Sequence, residues 1–395
     1  MVEKKHIILG VSGSIAAYKA VYLTRLFVEA RAHVWPMLTA AGARFVGPLT
    51  FSALTGNRAV TDMWSASEAG EINHVELAHR ADLLVLAPAT ADLLARLALG
   101  RADDPLAAVA LSTQAPWLVA PAMESGMWNN PATQKNVETL RERGAQFVMP
   151  TAGRLASGAT GVGRMAEPED IFEAALGRLT SQDLHGKKVV VTAGPTREYF
   201  DPVRFISNPS SGKMGFAVAR VARRRGAEVV LITGPSNLVP PPDVHVDRIE
   251  TTAELLTACQ NALQDADILV MAAAPGDFSP ASRQTTKSKK PTAAFQAALE
   301  PTVDVLKTLA PRKAGCFVVG FAAETHDVNE RAKAKLEAKD LDLVVANDIT
   351  LPDAGFGTDT NVVTIISRDG SAARLPALSK VAVAEEILDR VVTAL

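Results

Sequence analysis

Three scarcities in this chain each exclude a class of protein. No apolar run reaches membrane-spanning length; runs such as Leu83 to Leu86 are sized for a strand, whereas a bilayer-crossing helix needs about 20 apolar residues. Cysteine occurs only at Cys259 and Cys316, which excludes a disulfide framework and points to a reducing compartment. Excess charge is also missing. With 41 basic against 43 acidic residues, a formal net charge of −2 gives no long-range attraction to nucleic acid or to an anionic membrane. The start MVEKKHIILGVSG is charged, but its short apolar run passes directly into a glycine turn. It therefore reads as a first strand and not as a signal peptide. The expectation is a cytoplasmic protein whose partners are small molecules.

What is present is an ordinary α/β composition, 48% apolar and 21% charged over 395 residues, enough for two or three domains with cores of their own. In the first half, His6 to Leu9, His33 to Leu38, Leu83 to Leu86, Trp117 to Val119 and Gln146 to Met149 read as strands. Ile15 to Ala30 has helical apolar spacing. Strands alternating with helical segments predict a doubly wound parallel sheet, in which ligands sit beyond the carboxyl ends of the strands. The turn Gly10 to Ser14 occupies such an end. Its hydroxyls and open N–H groups suit a phosphate, although Gly/Ser turns also serve close packing alone, and it is not the G-x-G-x-x-G dinucleotide fingerprint. His74 falls near a helix start, either as a solvated or capping histidine or as an imidazole that handles a carboxylate or a proton.

The polar stretch Arg178 to Lys188 reads as a linker. A second strand-turn-helix series begins behind it. Val189 to Val191 ends in Thr192-Ala193-Gly194-Pro195, a polar loop carries Arg197, Glu198, Asp201, Arg204 and Asn208, and Ser210-Ser211-Gly212-Lys213 opens a helix. Free N–H groups and the helix dipole favour an anion there. Further strands are expected at Glu228 to Ile232, Asp267 to Met271, Cys316 to Val319, Leu341 to Val345 and Asn361 to Ser367, with a closing helix at Val381 to Val392. The basic loop with Arg283, Lys287, Lys289 and Lys290 is a solvated surface or a phosphate-binding flap. Lys335 and Lys339, at i and i+4, share one helix face. Pairing with Glu337 and Asp340 is the plain reading; a triphosphate would also suit them.

Five pieces of the first half occur in one order: Gly10 to Lys19 (GVSGSIAAYK), Ile72-Asn73-His74, Ala87 to Asp92 (APATAD), Pro121-Ala122-Met123 and Gly161 to Met165 (GVGRM). Together they resemble the FMN-dependent cysteine decarboxylases, the phosphopantothenoylcysteine decarboxylases in particular, over residues 5–178. The resemblance implies a flavodoxin-like flavoprotein domain over residues 1–180, with the flavin phosphate on Ser12, Gly13 and Ser14 and Thr39 beside the flavin. It makes His74 the histidine of oxidative decarboxylation. In that chemistry the thiol side of the substrate is oxidised, carbon dioxide leaves, and the ene-thiol is reduced again, with the flavin as electron carrier. Two departures stand out. Glu124 replaces the asparagine that holds the substrate, and its carboxylate would repel another unless protonated or paired, with Arg154 or Arg164 as partners. Ser157 stands where the family's proton-donating cysteine lies, and a hydroxyl is a far weaker acid.

Thr192 to Glu198 (TAGPTRE), Asp201 to Gly215 (DPVRFISNPSSGKMG), Asp277, Lys287, Gly320 to Thr325 (GFAAET) and Ala346 to Asp348 (AND) resemble the phosphopantothenate–cysteine ligases over residues 185–393. The implied activity of a second Rossmann-like domain, residues 186–395, is CTP-dependent. The acid's carboxylate attacks the α-phosphorus, pyrophosphate leaves, and the amine of cysteine displaces CMP, with Mg²⁺ on the phosphates. By resemblance Asn208 holds the acyl-cytidylate, Arg204 is the neighbouring functional arginine, and Lys287 serves the second step. Asp277, Thr302, Val303, Asp304, Val305, Phe321, Lys335 and Lys339 take the nucleotide, while Glu124 and Arg164 belong to the decarboxylase substrate site. Ala274-Pro275-Gly276 is stiffer than the turn usual before the aspartate. The metal ligands stay unassigned. The implied whole is a homo-oligomer, a dodecamer among relatives, that makes 4′-phosphopantetheine for coenzyme A. The alternatives are an active ligase fused to a flavin-binding domain that completes no catalysis, and a flavin-binding regulatory module.

Overall fold

Short, fully apolar strands that run into small-residue turns bury both faces only in a parallel sheet covered by helices. The computed structural model describes residues 2–62, 74–287, 296–312, 315–348, 350, 355 and 357–395, and contains two such sheets. They lie in two units, Met1–Ser181 and Gln182–Leu395.

In the first unit, β1 (His6–Val11), β2 (His33–Leu38), β3 (Leu83–Ala89), β4 (Trp117–Pro121) and β5 (Gln146–Phe147) form a parallel sheet in the order β2-β1-β3-β4-β5. Every residue of β3 is buried, as its central place requires. The helix Ala17–Glu29 turns Ala17, Ala20, Leu23, Thr24 and Phe27 inward, the 3.6-residue stripe expected of a helix on a sheet. Phe27 is fully buried and meets Phe172 edge-on, with ring centroids 5.2 Å apart. Burial of such a side chain is worth about 1.5–3 kcal/mol. An antiparallel hairpin, β6 (Thr151–Arg154) and β7 (Thr160–Arg164), has no counterpart in the sequence reading. Its strands are mostly exposed and so lack the apolar alternation that announces a strand.

The second unit holds β8 (Lys188–Ala193), β9 (Arg197–Tyr199), β10 (Phe205–Ser207), β11 (Glu228–Thr233), β12 (His245–Arg248), β13 (Ile268–Met271), β14 (Phe278–Pro280), β15 (Leu299–Pro301), β16 (Phe317–Glu324) and β17 (Leu343–Asp348). The order β12-β11-β8-β13-β16-β17 is parallel throughout. Val363–Ser367 and Ala372–Arg374 then extend that edge as antiparallel strands, so this sheet is mixed rather than wholly parallel. The four residues between Val363–Ser367 and Ala372–Arg374 leave no room for the helical crossover that a parallel pair needs. Of the polar stretch before β8, Leu184 is fully buried in the second core. Asp183 holds the buried Arg225 through two bonds of 2.8 and 2.7 Å. That end of the linker is therefore docked to the second unit.

Candidate functional site

Each sheet reverses its strand order once, and each reversal opens a crevice at the carboxyl ends where ligands bind. In the first unit it lies between β1 and β3. The Ser12 hydroxyl donates to the Pro88 carbonyl at 2.7 Å and accepts from Thr90 N–H at 3.0 Å, which locks the two turns together. Ser12, Gly13, Ser14 and Thr39 line one cavity of about 640 Å³ with Thr90 and Met123. Thr39 accepts from Gly42 N–H at 3.0 Å. The turns touch so closely that a Cβ on Gly13 would lie 2.5 Å from Ala41 Cβ, and one on Gly42 2.3 Å from the Val11 carbonyl oxygen. Arg96, at the same cavity, is already shared among Asp92, Asp103 and Asp104. An anion there must rely on N–H groups and hydroxyls, as a backbone nest provides.

The remaining residues of this half fall into two groups. Met123 N–H donates to the Gly163 carbonyl at 3.0 Å, and a Cβ on Gly161 would meet Ser125 Oγ at 2.6 Å. The turn carrying Glu124 thus lies flat on β7, which explains two glycines of the GVGRM motif. Arg164 ion-pairs with Glu167 at 2.8 Å and not with Glu124, so the compensation expected from Arg164 is a different contact. Ser157 is exposed at the tip of the β6–β7 hairpin, where Gly158 takes φ +89°, and its hydroxyl accepts from Ala159 N–H at 3.3 Å. The helix His74–Arg80 begins at His74; the His74 side chain, with Ile72 and Asn73, lies outside the described residues.

In the second unit the reversal lies between β8 and β13, whose turns meet through a bridge from Pro195 to Ala274. Three glycines divide the work that a dinucleotide fingerprint does in one stretch. Gly194 has φ +75° in the tight turn, and Gly212 has φ +82° at the cap of the helix Lys213–Arg224. Gly215 lets that helix approach β8, since its Cβ would lie 2.6 Å from Ala193 Cβ and 2.7 Å from the Thr192 oxygen. The β9–β10 hairpin is inserted between the first glycine and the other two, so no contiguous motif exists to be read.

Asn208 follows that hairpin, and its amide donates to the carbonyls of Ala274 at 3.3 Å and Pro275 at 2.9 Å. Asp201, 1% exposed, accepts from the N–H groups of Val203 and Arg204 at 2.8 and 2.9 Å and from the Arg204 guanidinium at 3.1 Å. Thr196 accepts from Gly276 N–H at 2.8 Å, and buried Glu198 accepts from Thr252 N–H and hydroxyl at 2.9 and 2.8 Å. Sequence reasoning gave Thr196 no role, yet it fixes the turn before Asp277. Only the polar cluster at a strand end hinted at it.

The nucleotide candidates gather on the β13–β16 side. Thr302 donates to the carbonyls of Gly276 and Asp277, through its hydroxyl at 2.6 Å and its N–H at 3.0 Å. Asp304 caps the helix Val305–Leu309 and pairs with Lys339. Lys335 donates to the Phe321 carbonyl at 2.7 Å. The Lys339 ammonium therefore meets Asp304, and that of Lys335 meets the Phe321 carbonyl. Burial, and then the charge of Lys339, holds Lys335 below the usual lysine range, against the opposing pull of Glu324, Asp304 and Asp277. Val303 is exposed and Val305 buried. Lys287 is exposed, in a loop held to β9 by Gln284 N–H on the Phe200 carbonyl at 2.8 Å and by Arg283 over the Tyr199 ring at 5.0 Å. Lys289 and Lys290 lie outside the described residues.

Residues 1–180 match the family described as Flavoprotein. Residues 184–395 match the DNA/pantothenate metabolism flavoprotein C-terminal domain. The coenzyme A biosynthesis bifunctional protein CoaBC of Bacillus subtilis (strain 168) is 43% identical over 395 residues, spanning 99% of this chain and 97% of its own length. The chain belongs to the CoaBC family. Two solved structures each resemble one part of a CoaBC chain. A C-terminal domain of CoaBC itself is 41% identical, covering 54% of this chain and 98% of that one, with a TM-score of 0.47. The FMN-dependent cysteine decarboxylase SpaF is 32% identical, covering 44% of this chain and 99% of that one, with a TM-score of 0.38.

Proposed function

We propose that the second unit joins cysteine to 4′-phosphopantothenate at the expense of CTP, and that the first decarboxylates the product to 4′-phosphopantetheine, two steps of coenzyme A biosynthesis. The observation that carries this reading is that one chain of the CoaBC family holds two separate strand-reversal crevices. FMN fits the first: its phosphate suits the nest of Ser12, Gly13 and Ser14, and a cavity of about 640 Å³ with Thr39 on its wall accommodates a planar ring. When bound it supplies the electron sink that lets a carboxylate leave as carbon dioxide. Glu124 and Arg164 border the place of the substrate, and the β6–β7 hairpin brings Ser157 as a cover with a hydroxyl.

In the ligase, Asp277, Thr302 to Val305, Phe321, Lys335 and Lys339 hold the nucleotide, and Asn208 and Arg204 hold the acyl end. Lys287 serves the attack of the amine. Mg²⁺ enters with the phosphates, as is usual for an ion that binds through few protein ligands. The chemistry is positioning and charge neutralisation. A homo-oligomer is supported by Ile15, Tyr18 and Tyr22, which lie 52–59% exposed at helical spacing in the first unit; apolar stripes of this kind mark contacts. Among the described residues no helix is long and apolar enough to cross a membrane, in keeping with a cytoplasmic enzyme.

Purified protein, given phosphopantothenate, cysteine and CTP, should turn yellow with FMN, release pyrophosphate, and yield saturated 4′-phosphopantetheine by mass. No pyrophosphate would overturn the ligase. A second reading, a ligase with a flavin domain that stalls, draws on one observation, Ser157 at the exposed hairpin tip. A product lacking two hydrogens, or unchanged phosphopantothenoylcysteine, would favour it.

A further inference from the structure

Glu198 is a carboxylate to which the ligase reading gives no role. It stands on β9, only 7% exposed, and makes no ion pair among the described residues. Its charge is met instead by the start of the helix Thr252–Ala262, where the helix dipole favours an anion. Glu254 takes the N–H groups of Glu250 and Thr251 there, at 2.7 and 3.3 Å, in a capping box. Thr252 N–H is left for Glu198, at 2.9 Å. The Thr252 hydroxyl bonds the same carboxylate oxygen at 2.8 Å and the Thr196 hydroxyl at 3.0 Å. Thr196, fully buried, accepts from Gly276 N–H at 2.8 Å.

The proton directions in this chain follow from the chemistry of its end. An ionised carboxylate only accepts, so the single hydroxyl proton of Thr252 points to Glu198. Thr252 must then accept from Thr196, whose oxygen in turn accepts from Gly276. Three donors, Gly276 N–H, Thr196 O–H and Thr252 O–H, therefore point one way, toward one charge. Bonds aligned like this in a dry interior polarise one another. We propose that Glu198 is a positioning residue of the ligase, acting through Thr252 and Thr196 to set the turn Ala274 to Asp277 for the nucleotide. The proposal rests on the ligase reading above. The peptide between Pro275 and Gly276 is held at both edges, its carbonyl by the Asn208 amide at 2.9 Å and its N–H by Thr196 at 2.8 Å. A peptide plane gripped on both edges cannot rotate, and it fixes the backbone on which Asp277 and the docked Thr302 stand. Without the chain, Gly276 has the freedom of any glycine.

The test uses the full chain and initial rates of pyrophosphate release with phosphopantothenate, cysteine and CTP. Thr196→Val keeps the shape and breaks the chain in the middle. KM for CTP should rise roughly 10- to 100-fold, the scale of one bond in a charge-assisted chain, while kcat stays within about threefold. Thr196→Ser, which keeps the hydroxyl, should stay within about threefold of the parent in both. Glu198→Gln keeps an acceptor and removes the charge, so the same KM should rise by about 3- to 10-fold. The double variant should be no worse than Thr196→Val alone, because a broken chain no longer carries the charge. A merely structural role would lower the folded fraction, and kcat with it, at unchanged KM. That outcome overturns the proposal, as do additive effects in the double variant or a Thr196→Ser enzyme as impaired as Thr196→Val. Should Thr196→Val fail to fold, Glu198→Gln decides: an unchanged KM for CTP overturns the proposal while the ligase reading stands. Absence of CTP-dependent pyrophosphate release by the unaltered enzyme overturns that reading itself.

Discussion

The two strand reversals solve one problem in different ways. In the first unit, β1 runs through Ser12 to Ala16 directly into its helix at Ala17. The nest is complete within one short turn and is held by Ser12 on the neighbouring strand end. In the second unit a hairpin stands between β8 and its helix, and the three glycines are gathered only by folding. The insertion gains what the short turn lacks: a polar arm carrying Arg197, Arg204 and Asn208 over the crevice. On the reading proposed above, a turn alone suffices for a cofactor that brings its own chemistry. A ligase that must align an acid, a nucleotide and an amine needs side chains reaching in from outside the sheet.

The strongest way to break this comparison is to separate the units. In Gly234→Val, a Cβ would lie 1.7 Å from the Pro195 carbonyl oxygen, so the turns of β8 and β11 must part at a cost of about 3 kcal/mol or more. Pyrophosphate release should vanish while FMN absorbance survives; loss of both would show that the first unit does not stand by itself. Next in size is Asn208→Ala, which frees the arm from Ala274 and Pro275. Ligase kcat should fall roughly 100-fold, the scale of one lost positioning donor, with decarboxylation of supplied phosphopantothenoylcysteine unchanged.

A smaller effect concerns pH. Lys335 is charged below its lowered pKa and loses that charge as pH rises through it, before an ordinary lysine near about 10.4 titrates. KM for CTP should therefore climb on the alkaline limb of the profile. Lys335→Arg, charged throughout, should flatten that limb, and an unchanged limb would remove Lys335 from nucleotide binding. The smallest structural change is Ser157→Cys at an exposed tip. It should leave the unfolding free energy within about 0.5 kcal/mol of the parent and raise the yield of saturated product several-fold if reduction limits turnover.

Much of the fold was legible because apolar strands and their terminal turns are local signals. β2 was read to the residue, and Ser12, Gly13, Ser14 and Thr39 were expected together and share one cavity. The β6–β7 hairpin was not legible, since exposed strands carry no burial pattern. The antiparallel edge of the second sheet was missed as well, because Val363–Ser367 is as apolar as its parallel neighbours.

The sequence by itself determined the two series of buried strands, the turns that end them and the chemical types within those turns, because burial and backbone freedom are properties of neighbouring residues. Only the tertiary structure decided which turns meet. Strand order set Pro88 against Ser12 and Ala274 against Asn208. The physical reason is range: pairing between strands 60 to 80 positions apart depends on the packing of the whole sheet, and no local pattern encodes it.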